Sequence, residues 1–244
     1  MIKFNEYSKK FINLYTNEIP EMLLRLLAHN KVNFSILDLG CGDGDLLLSL
    51  YNRGYLQQAK RIVGVDLSLE RIKRLKSKKI TNLELICSDA CNVRDLADSS
   101  FDYIFNTQVI EHVPDDKALL VEIHRLLKRR GILYISSVVK KRYGWYIHRC
   151  NNKWSLDPTH LREYSSEQEF TFLIENAGFE IDKVKMTLYK FIPLDFLIRR
   201  IYFPLFKPKD VNSFFLRHKI LRRLRIIKIP IPGYYIIEVV AIKK

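Results

Sequence analysis

Short apolar runs alternate with amphipathic stretches along most of the chain. The apolar runs are predicted strands, namely FSILDLG, RIVGVDLS, LELICSDA, FDYIFNTQ and ILYISSVV. Apolar residues recur at helical spacing in NEIPEMLLRLLAHN, from Leu46 to Tyr51, in LERIKRLKSK and in KALLVEIHRLLKRRG. This alternation is typical of βαβ units wound into a parallel sheet that is buried on both faces. We therefore predict an α/β fold with helices on both sides of a mostly parallel sheet.

The C-terminal third carries one more helix and two more strands. The predicted helix is SSEQEFTFLIENAGF, with a serine cap and Gly178 at its end, and the strands are FEIDKVKMTLYK and GYYIIEVVAIKK. Residues 191–230 lie between these two strands and do not fit the alternation. A length of 244 residues suits one domain over 1–244, with 191–230 as an insertion.

Composition limits the class of protein. Hydrophobic residues make up 48% of the chain, which excludes a disordered polypeptide. The sequence shows neither a signal peptide nor an uncharged apolar stretch of about 18 residues, so we expect a cytoplasmic protein, at most peripheral to the inner face of a membrane. Cys87 and Cys91 form one CxxxC pair without a second pair, so no metal site is predicted.

Three glycines follow the first predicted strand in SILDLGCGDGD. Gly40, Gly42 and Gly44 stand at every second position, where residues without a β-carbon take positive φ angles and let a ligand approach the backbone. The dinucleotide motif GxGxxG binds pyrophosphate, whereas this spacing is GxGxG and three aspartates flank it. Carboxylates suit a positively charged ligand better than a phosphate, so a nicotinamide-dependent dehydrogenase is disfavoured.

Aspartates also follow the next two predicted strands. Asp66 stands 22 residues after Gly44, near the separation of about 20 at which an acidic residue binds ribose hydroxyls. Asp89 ends the third strand in CSDA, where it could accept a hydrogen bond from an adenine amino group. The alternative for Asp66 is the N-cap of the helix that begins in DLSLERIKRL.

These motifs resemble those of the class I S-adenosylmethionine-dependent methyltransferases, which have a Rossmann-like, doubly wound sheet of seven strands. LDLGCGDG resembles the first motif of that family, VGVDLS its acidic loop and CSDA its adenine motif. FDYIFNTQVIEHVPD and DPTHLREYSSEQEFTFLIENAGFEI are similar to segments of the quinone-biosynthesis, type 11 small-molecule subgroup. The resemblance implies S-adenosyl-L-methionine as cofactor and S-adenosyl-L-homocysteine as product. The cofactor-binding residues that it implies are Asp38, Gly40, Cys41, Gly42, Gly44, Asp66, Leu67, Asp89, Ala90, Asn106 and Gln108.

The segment after the fourth predicted strand bears on the methyl acceptor. It reads NTQVIEH from Asn106 to His112 and lacks the (N/D)PP(Y/F) tetrad that holds an amino group in nucleic-acid and glutamine N-methyltransferases. The resemblance therefore implies methyl transfer to an oxygen, or to an activated carbon, of a small-molecule, lipid or glycan acceptor. An RNA methyltransferase and a catalytically silent cofactor-binding protein remain alternatives. An aminopropyltransferase of the same fold would need an acidic pocket, which the net charge of +14 disfavours.

Two histidines are candidates for a catalytic base. His112 lies just after the fourth strand, where an imidazole that titrates near neutrality would reach the substrate. The alternative is that Glu111 and His112 only shape the loop or contact the cofactor through the backbone. His160 lies in DPTHLREY, where Asp157 and Pro158 predict a turn that carries it over the site.

The predicted insertion carries much of the positive charge. Residues 191–230 contain ten Lys and Arg but two Asp, so they contribute +8 of the +14. Large apolar residues alternate with these charges, and Leu216, Ile220, Leu224 and Ile227 align on one helical face, as in interfacial helices. Three alternatives stay open: a lid over the acceptor pocket, a segment that docks on an anionic membrane, and an RNA-binding surface. The interleaved apolar residues favour a membrane over RNA as the partner of this segment. The substrate is expected to be a small or lipid-linked molecule.

Overall fold

The computed structural model describes residues 18–28, 32–145, 148–150, 153–198, 201, 205 and 224–244, with only the backbone at 148–150 and 153. Its helices are α1 (Glu21–Ala28), α2 (Asp45–Asn52), α3 (Leu69–Lys76), α4 (Asp116–Leu126), α5 (Glu167–Asn176) and α6 (Pro193–Leu197). Its strands are β1 (Phe34–Leu39), β2 (Ala59–Asp66), β3 (Leu83–Cys87), β4 (Phe101–Thr107), β5 (Leu127–Lys140), β6 (His148–Cys150), β7 (Lys153–Ser155), β8 (Phe179–Phe191) and β9 (Ile229–Lys243).

Seven strands form one sheet in the order β3-β2-β1-β4-β5-β9-β8. The pairs from β3 to β5 are parallel, whereas β9 runs antiparallel to both of its neighbours, β5 and β8. This confirms the predicted doubly wound, mostly parallel sheet. The strand order reverses between β1 and β4, and ligands of such sheets bind in the crevice beyond the carboxyl ends of the strands at this reversal.

Helices cover both faces of the sheet, because successive side chains of the buried strands point to opposite sides. Ile36 on β1 packs with the apolar residues of α1, α2 and α3, and its neighbour Leu37 packs with those of α4 and α5. The Ser166 side chain caps α5 by accepting from Glu169 N, and Gly178 takes a φ of 90° just after the helix. Both ends of the predicted helix are therefore confirmed.

One predicted helix is shorter than its pattern suggested. α4 ends at Leu126, and residues 127–130 belong to β5 although the sequence continues as LKRRG. The carbonyl groups of Arg125 and Leu126 accept hydrogen bonds from Ser99 N and Ser100 N, both at 2.9 Å. Because these tertiary partners satisfy the last helical carbonyls, the chain can leave the helix and begin the strand.

The residues between β8 and β9 are described only in part. α6 begins two residues after β8, and the structure describes the chain again from Leu224. Leu216 and Ile220 of the predicted amphipathic face lie outside the described residues. No helix in the described ranges is both long and apolar enough to cross a membrane.

Candidate active site

The glycine turn follows β1 at the crevice edge of the sheet. Gly40, Gly42 and Gly44 have φ angles of 90°, 55° and 76°, in the left-handed region where L side chains are strained. Gly40 N and Cys41 N both donate to the carbonyl of Val65, at 2.7 and 2.9 Å. The turn is thus fixed to the end of β2, as a loop that presents its backbone to a ligand would require.

Asp66 joins the glycine turn to the next loop. One carboxylate oxygen accepts from Gly42 N at 2.9 Å, and the other accepts from Ser68 N at 2.8 Å. Ser68 is the N-cap of α3, since its hydroxyl accepts from Arg71 N, so the alternative that Asp66 caps this helix is wrong. Burial raises the pKa of Asp66, and the two backbone donors partly offset this.

Asp38 is a buried carboxyl group beneath the turn. It lies on β1 and pairs with Gly64 and Phe105 of the neighbouring strands. Among the described residues, Oδ1 of Asp38 has no hydrogen-bond partner. Burial, with the nearby Asp66 charge, raises the pKa of Asp38 to about 7. An unpaired buried carboxyl is costly, and a cationic ligand group would stabilise its charged form.

The other two aspartates of the turn are already engaged within the protein. Arg74 Nε lies 2.6 Å from Asp43 Oδ1, and Lys78 Nζ lies 3.2 Å from Asp45 Oδ1. The interpretation that three carboxylates face one cationic ligand is therefore wrong for these two, because their charges are met by the C-terminal region of α3. Of the three flanking aspartates, Asp38 is the one with a buried oxygen that has no partner among the described residues.

The remaining residues of the first three strand ends differ in exposure. Asp89 is exposed beyond β3, where its carboxylate accepts from Cys91 N at 2.9 Å, and the half-buried Ala90 packs on the core. Leu67 is 53% exposed, as a residue that covers a ligand would be before binding. Cys41 is buried, with its sulfur directed toward Gly64. Their predicted cofactor contacts stay predictions.

Asn106 and Gln108 lie at the end of β4, next to the turn. Asn106 is fully buried and donates to the carbonyl of Leu39 at 2.8 Å, so it holds the last residue of β1. Among the residues described, its Oδ1 has no partner. Gln108 takes a φ of 54°, and its N–H donates to Ser136 O on β5 at 3.0 Å. Their place beside the glycine turn is compatible with the predicted cofactor contacts.

His112 follows β4 and is held by the segment that contains His160. Thr159 Oγ1 donates to Asp157 Oδ1 at 2.5 Å and lies 3.0 Å from His112 Nδ1. Since the single hydroxyl proton goes to Asp157, Thr159 accepts from His112, so Nδ1 carries the proton and Nε2 the lone pair. Burial, and then the nearby His160, lower the pKa of His112 to about 4.

His160 has a carboxylate partner. Its Nδ1 lies 2.9 Å from Glu163 Oε1, which also accepts from Leu156 N at 2.8 Å. Burial lowers the pKa of His160, but the hydrogen bond to Glu163 and the Glu111 and Asp157 charges outweigh it, so the pKa is raised. The rings of His112 and His160 meet edge to face with centroids 4.8 Å apart. We call these two residues the histidine pair.

The carboxyl group of Glu111 lies close to the histidine pair. It is fully buried, accepts from Ser137 Oγ at 2.9 Å, and has an Oε1 without a partner among the described residues. Burial raises its pKa to about 7. One potential ligand atom from each of Glu111, His112 and His160 lies within 4.8 Å of the others, so these are the described residues that could hold a metal ion.

Hydrogen bonds fasten the His160 segment onto the loop after β4. Leu161 N donates to Glu111 O at 2.9 Å, and the Arg162 guanidinium donates to the carbonyls of Ile110 and Val113 at 2.9 and 2.6 Å. Tyr164, the last residue of DPTHLREY, is buried and donates to Asp116 at 3.2 Å. These contacts fix the two loops relative to each other.

Sequence reasoning missed the residues that orient the histidine pair. The sequence pattern indicates no role for Thr159 or Glu163, and it predicts only a turn at Asp157. His160 and Glu163 stand three residues apart in one turn, and this spacing is the sequence signal that could have identified Glu163 as the partner of His160. No sequence signal joins Thr159 to His112, because 47 residues separate them.

The described residues fit S-adenosylmethionine. The turn bends at positive φ without β-carbons, the Asp38 carboxyl has a buried oxygen that lacks a partner, and the Asp66 carboxylate lies at the end of the next strand. This set offers backbone groups and acidic acceptors to a ligand that carries a sulfonium, an ammonium and ribose hydroxyls. Asp38, Asp66 and the turn would hold it.

Comparisons with known proteins agree with this geometry. Residues 37–135 match the family described as "Methyltransferase domain". A "probable S-adenosylmethionine-dependent methyltransferase" of Mycolicibacterium smegmatis is 27% identical over 66% of this chain, which spans 58% of that relative's length. A ubiquinone/menaquinone biosynthesis C-methyltransferase of Campylobacter jejuni is 28% identical over 62% of this chain and 72% of its own.

Solved structures show the same fold. An S-adenosylmethionine-dependent methyltransferase structure from Methanosarcina mazei superimposes with a TM-score of 0.61, covering 93% of this chain and 98% of that one at 17% identity. At this identity the likeness concerns the fold alone. Residues 37–135 form a methyltransferase domain, and the sequence relatives of the chain are named S-adenosylmethionine-dependent methyltransferases or methyltransferases of quinone biosynthesis, so the cofactor of this domain is S-adenosylmethionine.

Proposed function

We propose that this protein transfers a methyl group to an oxygen, or to an activated carbon, of a small-molecule, lipid or glycan acceptor. The observation that carries the proposal is the histidine pair, two oriented imidazoles in contact beyond β4, beside the glycine turn. The Campylobacter relative, named a C-methyltransferase of quinone biosynthesis, supports an acceptor with an electron-rich ring or hydroxyl group.

The histidine pair has two different tasks in this proposal. S-adenosylmethionine, when bound, supplies an electrophilic methyl group. A hydroxyl or carbon acid must lose a proton to accept it, and a base with a pKa near the working pH does this best. His160 has the raised pKa and a carboxylate, Glu163, that stabilises its imidazolium form. We therefore assign the general base to His160.

His112 is suited to orient the acceptor. Its pKa of about 4 keeps the ring neutral, and the Thr159 contact fixes Nε2 as a hydrogen-bond acceptor. An acceptor hydroxyl that donates to this nitrogen would be held beside His160. Such positioning lowers the barrier without covalent chemistry.

The test compares His160→Ala and His112→Ala with the wild type on catechols, hydroquinones and prenylated hydroquinones. Release of S-adenosylhomocysteine measures turnover, and calorimetry measures cofactor affinity. We expect His160→Ala to lower kcat about 100-fold, and His112→Ala mainly to raise KM, with cofactor affinity unchanged in both. His124→Gln on α4, outside the site, is the control and should behave as wild type.

The pH profile separates the two histidines. If His160 is the base, kcat/KM falls on the acid side with a midpoint above the ordinary 6.5; a midpoint near 4 would assign the base to His112. Full turnover by both alanine variants would refute either role. Loss of turnover on chelation of metal ions would assign the cluster to a metal instead, and cofactor binding without turnover of any acceptor would favour a silent binding protein.

A further inference from the structure

A patch of exposed apolar side chains lies at the carboxyl edge of the sheet, on the side of the histidine pair. β5 and β8 end there and β9 begins there, since Lys140 pairs with Tyr234 and Phe191 pairs with Ile229. We call this patch the apolar edge. Its described members are Tyr143, Trp145, Trp154, Phe196, Leu197, Leu224, Ile226, Ile227 and Ile229.

These side chains are concentrated, not scattered. The exposed fraction is 64% for the Trp145 side chain and 75% for that of Ile226, and both residues belong to segments that flank the same three strands. Other exposed apolar residues, such as Phe172 on α5 and Val121 on α4, lie on separate elements. Single exposed apolar residues are normal on a soluble domain, whereas a concentration of them indicates a partner or a membrane surface.

Two tryptophans form the aromatic part of the apolar edge. The rings of Trp145 and Trp154 meet with centroids 6.4 Å apart and planes at 66°. Lys140 Nζ donates to the carbonyl of Trp154, so the β6–β7 hairpin is tied to the end of β5. Tryptophan and tyrosine favour the boundary between water and lipid, because their rings are apolar and carry one polar group.

Basic residues adjoin the apolar edge in the sequence. Lys140, Lys141 and Arg142 directly precede Tyr143 and Trp145 in KKRYGW. By composition, residues 191–230 carry ten basic residues against two aspartates, and most of these basic residues lie outside the described ranges. One of these aspartates, Asp195, is already paired with Arg225 at 2.7 Å. Clustered basic residues beside apolar ones are attracted to anionic lipid headgroups.

We propose that the apolar edge docks on an anionic lipid bilayer, with Trp145 and Trp154 at the level of the headgroups. RNA would engage the basic groups but leave the exposed leucines and isoleucines in water. A lid would bury these side chains against its own domain, whereas those described are exposed. The proposal does not depend on the acceptor, since docking requires neither cofactor nor turnover.

The apolar edge is connected to the histidine pair through the chain. The hydroxyl of Ser155, the residue after Trp154, donates to the carbonyl of Asp157 at 2.7 Å and lies 3.1 Å from Glu163 Oε1, the oxygen that is the partner of His160. Docking would therefore place the acceptor site next to the lipid surface. An acceptor with a lipid tail could enter the site without leaving the bilayer.

The chain offers a direct reporter, because Trp145 and Trp154 are its only two tryptophans. We would mix the full-length protein with vesicles of phosphatidylcholine and phosphatidylglycerol at physiological salt and record tryptophan emission. We expect a blue shift and quenching by brominated acyl chains, and neither with phosphatidylcholine alone. Unchanged emission with the anionic vesicles would overturn the proposal.

Flotation of variants with the same vesicles tests which side chains bind. Trp145→Ser with Trp154→Ser should weaken partitioning about tenfold, and Lys141→Gln and Arg142→Gln about fivefold each. Phe172→Ser, equally exposed on α5, and Lys60→Gln, at the start of β2 on the opposite edge of the sheet, are matched controls that should float as wild type. Equal losses in the controls, or release of the protein by excess single-stranded RNA, would overturn membrane docking and leave the proposed roles of the histidine pair untouched.

Discussion

The carboxyl edge of the sheet has two halves that are built in different ways. Beyond β1, β2 and β3, the half that we propose binds the cofactor, called the cofactor half, consists of positive-φ glycines and main-chain N–H groups that bind the Asp66 carboxylate. Beyond β4, β5 and β8, the half that we propose binds the acceptor, called the acceptor half, consists of side chains from distant segments, with His112 against His160 and Trp145 against Trp154. A site made of backbone depends on few special residues, whereas one made of side chains can change its chemistry while the fold stays the same.

In the described part of the chain, each half also contains a buried carboxyl group with an oxygen that has no hydrogen-bond partner. Burial raises the pKa of both Asp38 and Glu111 to about 7. Such groups reduce stability at neutral pH, and they are typical of functional sites, where a ligand supplies the missing partner. The two halves can therefore be compared by the same kinds of experiment.

The largest effect is expected in the glycine turn. In Gly40→Ala the new Cβ would lie 2.2 Å from Val109 Cγ2 at a φ of 90°, so we expect a loss of about 3 kcal/mol in the free energy of unfolding and no measurable cofactor binding. Gly54→Ala is the matched control: its φ is 79°, but the nearest atom is 3.5 Å away. Thermal unfolding measures the stability of both variants, and calorimetry measures their cofactor affinity. Equal losses in the two variants would mean that the positive φ angle, and not the contact with Val109, causes the effect.

A second, smaller effect concerns stability and pH. The folded state holds protons on Asp38 and Glu111 up to about pH 7, whereas the unfolded chain releases them near pH 4, so both groups make stability fall as pH rises between these values. Asp38→Asn and Glu111→Gln should each raise the unfolding free energy of the cofactor-free protein by about 2 kcal/mol at pH 8, and by little near pH 4.

Asp38→Asn and Glu111→Gln should differ in their affinity for the cofactor. Asp38→Asn belongs to the cofactor half and should weaken cofactor affinity, whereas Glu111→Gln belongs to the acceptor half and should spare it. Denaturant unfolding at both pH values and calorimetry provide the measurements, with exposed Glu175→Gln on α5 as control. If Glu111→Gln also loses the cofactor, the division into two halves is wrong.

The smallest effect tests the orientation of the proposed base. Glu163→Gln keeps a hydrogen-bond acceptor for His160 but removes the charge that raises its pKa. We expect kcat to fall about tenfold and the acid limb of the pH profile to move to lower pH, with cofactor affinity unchanged. A loss of turnover at an unmoved pH limb would show that Glu163 only supports the fold.

The backbone geometry of the cofactor half could be predicted from the sequence because its determinants are local. The order of helices and strands follows from periodicity, and a glycine turn after a buried strand needs only adjacent residues. Even here one inference failed: Asp43 and Asp45 were expected to suit a cationic ligand, but Arg74 of α3 and Lys78, two residues beyond this helix, pair with them. Such pairings depend on how the helix packs, which periodicity does not specify.

The sequence by itself determined the doubly wound, mostly parallel sheet and the glycine turn after β1, whereas the cofactor contacts of the residues near the ends of β1, β2 and β3 stay predictions. The tertiary structure alone decided that Thr159 orients His112, that Glu163 holds His160 and that Trp145 meets Trp154. The physical reason is distance along the chain: turns, caps and periodic faces are set by neighbouring residues, whereas contacts between loops are set by strand order and register, which exist only once the sheet has formed.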